Sequence, residues 1–192
     1  MKIGITGGIG CGKSYICRRL ATMGIQVYDC DSAAKRIIRT SAEIRNALTQ
    51  LVGPETYQDD GQLNKAAIAS FLLASENNAR AIDRIVHPAV ASDFTQSGAE
   101  WMECAILYES GFDNLVDKII AVSAPDELRI QRVMQRDGIS REKVLEWMKR
   151  QLPQNEILRR ADHEIKNDGI HNIDAQLEHL LDKLEISGNT AE

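Results

Sequence analysis

The chain has 192 residues, 43% of them hydrophobic and 27% charged, with a formal net charge of −5. That is enough apolar material for one domain with a core of its own, which excludes disorder and collagen-like structure. The acidic balance excludes an overall basic footprint for nucleic acid, and no apolar run approaches the roughly 20 residues that span a bilayer.

Residues 2–6 (KIGIT) read as a short strand, with Ile3 and Ile5 on one face. Glycines follow at 7, 8, 10 and 12. From Lys13 the period becomes helical: Ile16, Leu20 and Met23 line one stripe, widened by Cys17 and Ala21. Gly24 stands where such a helix would be capped. Residues 25–31 (IQVYDCD) read as a second strand, so the chain opens with a βαβ unit and a parallel sheet is expected.

Residues 32–39 look helical, and Gly53-Pro54 and Asp60-Gly61 are turn signals. Helices are predicted over 65–74 and 76–86, with Pro88 opening another at its first turn. No strand pattern interrupts this stretch, which reads as an inserted helical subdomain. Residues 101–109 (WMECAILYE) and 118–124 (KIIAVSA) have the pattern of buried strands. A helix over 126–136 is broken by Asp137-Gly138, and Ser140 is placed to cap a helix running to about Gln151. A last short strand is expected at 163–167, then an amphipathic helix over 173–184 and a frayed SGNTAE tail.

The most specific signal is the run Gly7, Gly8, Ile9, Gly10, Cys11, Gly12, Lys13, Ser14, a full match to G-x-x-x-x-G-K-[ST] between a strand and a helix. Such glycines let successive N–H groups form an anion-binding hollow. The helix N-terminus adds about half a positive charge. Lys13 can reach terminal phosphates, and the Ser14 hydroxyl can ligate Mg²⁺, which prefers oxygen. The motif points to a nucleoside triphosphate without naming the reaction. Cys11 within it reads as a small tolerated residue rather than a redox switch.

Asp29 and Asp31 lie at the end of the second predicted strand. If the strand persists, both point to one face, at the sheet edge that carries ligand crevices in open α/β proteins. There a carboxylate could accept a hydroxyl proton or hold Mg²⁺ through water. The competing reading makes Asp31 or Ser32 the cap of a helix starting at Ala33. No N-K-x-D and no D-x-x-G occurs, which disfavours a GTPase switch and favours phosphoryl transfer to a small hydroxyl.

Arg129, Arg132 and Arg136 fall at i, i+3 and i+7 on one helix face, with Arg141 after the turn and Lys149 and Arg150 beyond. Like charges at this spacing repel. They suit a mobile flap that stabilises a transferring phosphoryl group, with Asp137-Gly138 near the hinge. The alternative is a solvated face balanced by Asp126, Glu127 and Glu142. His87-Pro88 reads as a turn or surface pair, and Trp101 and Trp147 as packing residues. Aromatic content of 5% argues against a single-strand nucleic-acid platform. Cys11, Cys17, Cys30 and Cys104 form no C-x-x-C pair, which argues against a zinc site or a disulfide framework. The start turns to glycine too early for a signal peptide, so a cytoplasmic location is expected.

With these residues in view, the chain resembles the dephospho-coenzyme A kinase family from residue 2 to about 184. ITGGIGCGKS is similar to that family's phosphate loop, and VYDCDSAAKRI to its V-x-D-A-D segment and following helix. DGQLNK resembles D-G-x-L-[DN]-R, IVHP resembles I-x-H-P, and AILYESG resembles P-L-L-[FY]-E-x-G. QRVMQRDGISREKV, then Gln151, resembles the lid helix and loop, and ADHEIKNDG resembles A-D-x-[VI]-I-x-N-x-G. Three positions depart from the pattern: Tyr15 replaces a usual Thr, Lys65 a usual Arg, and Ala105 the usual proline. Lys65 thereby lacks bidentate anion recognition.

The resemblance implies transfer of a phosphoryl group from ATP, with Mg²⁺, to the ribose 3′-hydroxyl of dephospho-CoA, giving CoA and ADP. It implies that Gly10, Cys11, Gly12, Lys13, Ser14 and Tyr15 bind the ATP phosphates, that Ser14 holds the metal, and that Asn167 lies near the adenine. Asp31 becomes the base or hydroxyl-orienting carboxylate, Asp29 its strand neighbour, and Arg136 and Arg141 the lid arginines. Lys13, Asp31, Arg136 and Arg141 form the catalytic set. Lys65 and His87 join Asp29 and Asp31 on the acceptor side.

The fold expected is α/β: a single P-loop kinase domain over 1–192, a three-layer P-loop NTPase fold with about five mostly parallel strands. It carries a helical acceptor-binding insertion near 40–98 and a lid near 132–150. The partner expected is the small-molecule substrate dephospho-CoA, with no nucleic acid and no membrane, and the protein itself a monomer or weak homo-oligomer.

Overall fold

The structure is a computed structural model that describes residues 1–186. The predicted frayed tail, 187–192, lies outside them. The chain divides into two compact units: Met1–Tyr28 with the chain from Ala99 onward, and Asp29–Gly98.

The first unit is built on a sheet ordered β2-β3-β1-β4-β5. Its strands are β1 (Ile3–Thr6), β2 (Val27–Asp29), β3 (Trp101–Glu103), β4 (Lys118–Ser123) and β5 (His163–Lys166). β1 pairs in parallel with β3 (Ile5 opposite Glu103) and with β4 (Ile5 opposite Ile120), and β4 pairs in parallel with β5. A central parallel strand is covered on both faces, and accordingly every residue of β1 is buried. This is the α/β class with a mostly parallel sheet that the βαβ opening predicts.

Helix α1 (Lys13–Thr22) places Ile16 and Leu20 against the sheet, where they meet Leu177, Leu180 and Leu181 of α9 (Ile173–Lys183). Ile3, Ile5, Ile120, Val122 and Ile165 complete that core from the strands. The predicted helical stripes are thus the faces that the structure buries. Helix α6 (Asp126–Asp137) ends at Gly138, and α7 (Arg141–Lys149) starts from Ser140, whose hydroxyl accepts from Lys143 N at 3.3 Å. These two helices share a small apolar core of Ile130, Val133 and Val144, flanked by Ile9, Ile139, Trp147 and Met148.

The second unit is helical: α2 (Cys30–Thr40), α3 (Ala42–Val52), a 3-10 turn (Pro54–Thr56), α4 (Lys65–Ala74) and α5 (Glu76–Ser97). Ser41, Asn64 and Ser75 accept first-turn N–H groups of α3, α4 and α5, supplying partners that a helix start otherwise lacks. The Tyr57 hydroxyl donates to Ile38 O at 2.9 Å, and Arg45 stacks 3.9 Å above the Tyr57 ring. Arg36 pairs with Asp93, tying α2 to α5. The compact unit starts at Asp29, so α2 belongs with the helices expected from about residue 40.

Three predicted elements differ, and one helix is additional. The second strand stops at Asp29 instead of reaching residue 31, because the Asp29 carboxylate accepts from Ser32 N at 3.0 Å and Ser32 Oγ at 2.7 Å and so opens α2 at Cys30. Asp29 and Asp31 therefore do not share a strand face, and the cap is Asp29 rather than Asp31 or Ser32. The strand predicted over 101–109 ends at Glu103. Beyond it the chain turns, with Ser110 N bonded to Ile106 O, Phe112 N to Leu107 O, and Gly111 at a positive φ of 75°. Pro88 does not start a helix but lies inside α5, whose Val86, Val90 and Phe94 are all buried. Helix α8 (Gln154–Arg160) was not anticipated; it buries Ile157 alone, too little for a periodic signal.

Leu20 is fully buried between the sheet and α9. Leu20→Ala should cost about 2–5 kcal/mol of unfolding free energy, read as a lower denaturation midpoint with an unchanged slope.

Candidate active site

The phosphate loop runs from the end of β1 to the start of α1. Its backbone has two sides with different fates. On one, the carbonyls meet donors from distant elements. Ile9 O accepts from Arg129 Nε at 3.0 Å, Cys11 O from Asn167 Nδ2 at 2.9 Å, and Gly10 O and Cys11 O from Arg132 Nη1 at 3.5 Å. On the other, the N–H groups of Gly10, Gly12, Lys13 and Ser14 have no hydrogen-bond partner among the described residues. A row of unpaired amides at a helix N-terminus is an anion site.

Two glycines are required for this shape. Gly10 has φ 79°, and a Cβ there would lie 2.5 Å from Arg129 O. Gly12 has φ 92°, and a Cβ there would collide with the Asn167 amide. Both positions combine a left-handed backbone with no room for a side chain.

Lys13 Nζ donates to Gly7 O at 2.7 Å and lies 3.8 Å from Glu103 Oε1 at the end of β3. The ammonium is thereby held at the mouth of the loop. Ser14 is exposed at the start of α1, its hydroxyl available as an oxygen ligand. Tyr15 is 44% exposed. It lines an open cleft of about 620 Å³ with Gly12, Arg132, Asn167, Gly169, His171, Asn172, Ile173 and Asp174.

The cleft is rimmed by two polar pairs. Arg19 makes a two-pronged contact with Asp174 at 2.8 and 2.7 Å, which raises the pKa of the guanidinium. Asp168 accepts from the N–H groups of His171 and Ile170, which holds its carboxyl far below the usual range, and also meets His171 Nδ1 at 2.7 Å. Asn167, expected near a base, is buried and lies between this cleft and the phosphate loop.

The structure therefore gathers Gly10, Cys11, Gly12, Lys13, Ser14, Tyr15 and Asn167 in the first unit. Arg136 and Arg141 are otherwise engaged. Arg136 forks onto Asp137 at 2.8 and 2.7 Å, and Arg141 onto Glu127 at 2.8 and 2.5 Å. Each pairing raises the arginine's pKa and lowers that of its acid. The arginines that touch the phosphate loop are Arg129 and Arg132. Both were read as part of the stripe, but neither was singled out for the site. Their signal was the spacing itself, which does not say which end of the face meets the loop. Gln151 also enters, its Oε1 accepting from Ile9 N at 2.8 Å. Glu103 enters through its contact with Lys13; nothing in its local sequence marked it.

The second unit holds the remaining residues. Asp31 lies in the first turn of α2, highly exposed, in an i,i+4 pair with Lys35 that raises the lysine's pKa. Asp29 is committed to the cap. Lys65 is the exposed first residue of α4. His87 sits within α5 with Nε2 3.5 Å from Asp83 Oδ1, which places it on a helix rather than in a turn.

Among the described residues, no helix is long and apolar enough to cross a membrane.

Against known proteins, the family model for dephospho-CoA kinase matches residues 1–172. The chain is 42% identical over 176 residues to the dephospho-CoA kinase of Bacteroides fragilis strain YCH46, covering 88% of this chain and 85% of that protein. The crystal structure of TT1252 from Thermus thermophilus is similar at a TM-score of 0.81 with 31% identity, covering 98% of both chains. Shikimate kinase from Bacteroides thetaiotaomicron, at 12% identity and a TM-score of 0.55 over 97% of this chain and 99% of its own, shares the fold alone. The fold is that of the P-loop kinases, and the chain belongs to the dephospho-CoA kinase family.

Proposed function

We propose that this chain transfers the γ-phosphoryl group of ATP to the ribose 3′-hydroxyl of dephospho-CoA, giving CoA and ADP, the last step of coenzyme A synthesis, in the cytoplasm. The observation that carries the reading is the phosphate loop itself. Its carbonyls are taken up by Arg129, Arg132 and Asn167, while the amides of Gly10, Gly12, Lys13 and Ser14 remain for phosphate oxygens.

Phosphoryl transfer asks little covalent chemistry of the protein. It asks for positioning and for positive charge where the γ-oxygens gather negative charge. The donor half falls to the first unit. The loop amides and Lys13 hold the β- and γ-phosphates, and the cleft lined by Tyr15, Asn167 and His171 takes the nucleoside. Ser14 would hold Mg²⁺, which would neutralise phosphate charge when bound. Arg132, bonded to Gly10 O and Cys11 O on the carbonyl side, holds the loop in the shape that presents its amides to phosphate.

The acceptor half falls to the second unit. Asp31 takes or orients the 3′-hydroxyl proton. It stands in the first turn of a helix, where a carboxylate is favoured by the dipole. Asp29 acts through the cap that fixes that turn. Lys65 and His87 contribute to recognition of the acceptor from α4 and α5. The pairs Asp31–Lys35, Arg136–Asp137 and Arg141–Glu127 are largely exposed. Such pairs are worth about 0–1 kcal/mol, so a ligand can displace them at little cost. Arg136 and Arg141 join the transferring group by exchanging Asp137 and Glu127 for phosphate.

The test of the reading is acceptor-dependent ADP release with dephospho-CoA, adenosine and AMP. Dephospho-CoA should exceed both controls by orders of magnitude. Equal rates would point to a kinase for another small acceptor, and ATP binding without release to a regulatory module.

Asp31→Asn should lower kcat by at least ~100-fold, the usual size of a positioned general base, with ATP affinity retained by calorimetry. Near-normal turnover would remove Asp31 from the chemistry. Arg132→Ala should lower kcat about 10²-fold, because a loop that loses its donor to Gly10 O and Cys11 O is misplaced. Arg136→Ala should lose less, because its guanidinium must first leave Asp137. A reversed order in steady-state rates would return the leading role to Arg136.

A further inference from the structure

The amide of Ile9 stands apart from its neighbours in the phosphate loop. The N–H groups of Gly10, Gly12, Lys13 and Ser14 are uncommitted among the described residues, whereas Ile9 N is bonded to Gln151 Oε1 at 2.8 Å, across 142 residues of sequence. The Ile9 carbonyl is held as well, by Arg129 Nε at 3.0 Å. Its side chain packs on the apolar core shared by α6 and α7, formed by Ile130, Val133 and Val144. The crest of the loop is therefore gripped at donor, acceptor and side chain, all by the lid helices and the residue that follows them.

Gln151 can grip only if its own backbone is fixed, and it is. Gln151 N bonds to Met148 O at 3.3 Å, continuing the last turn of α7. Leu152 N donates to Glu109 Oε1 at 3.0 Å, in the turn after β3. Ala124 N, just past β4, donates to Gln154 Oε1 at 3.2 Å. Pro153 stands between these anchors and precedes α8 with its φ at −56°. Residues 151–154 are stapled at two points, one in the turn after β3 and one just past β4, so the Gln151 carbonyl is a stationary acceptor.

We propose that Gln151 is a positioning residue for phosphoryl transfer: it holds the crest of the phosphate loop at Ile9 and ties the base of the lid to the nucleotide site. The inference rests on the reading of this chain as a P-loop kinase. Without the acceptor, the Ile9 N–H is left with neither protein nor phosphate partner, and the loop shifts to find one. A misplacement of about 1 Å in such a site can cost about 10²-fold in rate. The bond also sets the edge of the anion nest, because it withdraws one amide from the row available to phosphate.

The experiment compares wild-type chain, Gln151→Met and Gln151→Glu, each at full length. Turnover with ATP and dephospho-CoA is normalised to nucleotide-binding sites, and ADP affinity is measured by calorimetry. Methionine keeps length and bulk without the carbonyl; glutamate keeps an acceptor. Gln151→Met should lose about tenfold or more in kcat, as an unsatisfied donor does, with the KM for dephospho-CoA nearly unchanged and a melting temperature close to wild type. Gln151→Glu should keep most of kcat while raising the KM for ATP, since its charge lies beside the phosphates.

Wild-type kcat in Gln151→Met, or equal losses in the two variants, overturns the proposal. Should Gln151→Met not purify, Gln151→Asn, a methylene too short to reach Ile9, carries the same expectation and the same refutation. An inactive wild-type chain would count against the kinase reading. ADP affinity then still judges Gln151: about a fivefold weakening in Gln151→Met, of the order expected for one lost hydrogen bond, supports it, and no change overturns it.

Discussion

The structure depends on how the carbonyls of the phosphate loop are satisfied. A loop that turns its amides toward an anion must turn carbonyls the other way, and a buried carbonyl without a donor is costly. Here the donors come from far along the chain: Arg129 lies 120 residues from Ile9, and Asn167 lies 156 residues from Cys11. The anion nest is thus a property of the folded first unit and not of the glycine run alone. Arg129 carries this furthest. It is only 4% exposed, its charge balanced by Asp126 at 2.9 Å, and its Nε is spent on the loop. An arginine so buried contributes positive potential next to the nest while acting as a structural donor.

The same contacts constrain α6 and α7, the helices proposed as the lid. Because Ile9 belongs to the apolar core of α6 and α7, those helices are anchored to the loop at their base. Freedom is left at Gly138 and in the exposed stretch carrying Arg136 and Arg141. In the proposed mechanism, closure on a nucleotide is exchange of exposed ion pairs at the far end of α6 and α7, with the near end fixed. Closure of that kind leaves undisturbed the amides proposed for the phosphates.

What was legible in the sequence follows the range of the interactions. The loop, β1 and α1 were readable because the motif, the strand and the buried stripe of Ile16 and Leu20 are all local. The second and third strands were overextended because an apolar run does not report where a side chain takes over the backbone. Asp29 ends one by capping α2, and the turn through Gly111 ends the other. The arginine stripe is legible in the spacing, but the spacing does not say that Arg129 and Arg132 are the members that contact the phosphate loop. Positions i and i+7 share a face, yet they are about 10 Å apart along the axis. One end therefore meets the loop, and at the other Arg136 is 62% exposed. Gln151 and Glu103 were silent as functional residues because their partners, Ile9 and Lys13, are distant in sequence.

The two sets of proposed site residues differ in the kind of contact that holds them. On the donor side, the loop backbone is fixed by long-range bonds from Arg129 and Asn167. Acceptor-side residues are fixed by neighbours three or four positions away: Asp29 with Ser32, Asp31 with Lys35, His87 with Asp83. Exposed pairs such as Asp31–Lys35 are weak and easily exchanged, so the residue proposed as the acceptor-side carboxylate can re-pair where the carbonyls of the phosphate loop cannot. The departures from the family pattern at Tyr15 and Lys65 lie outside this network. Both side chains are exposed, outside the bonds that shape the nest, and a change there alters recognition without moving the amides. A change at Gly10, Gly12, Arg129 or Asn167 has no such latitude, because each removes a partner whose absence the loop can satisfy only by changing shape.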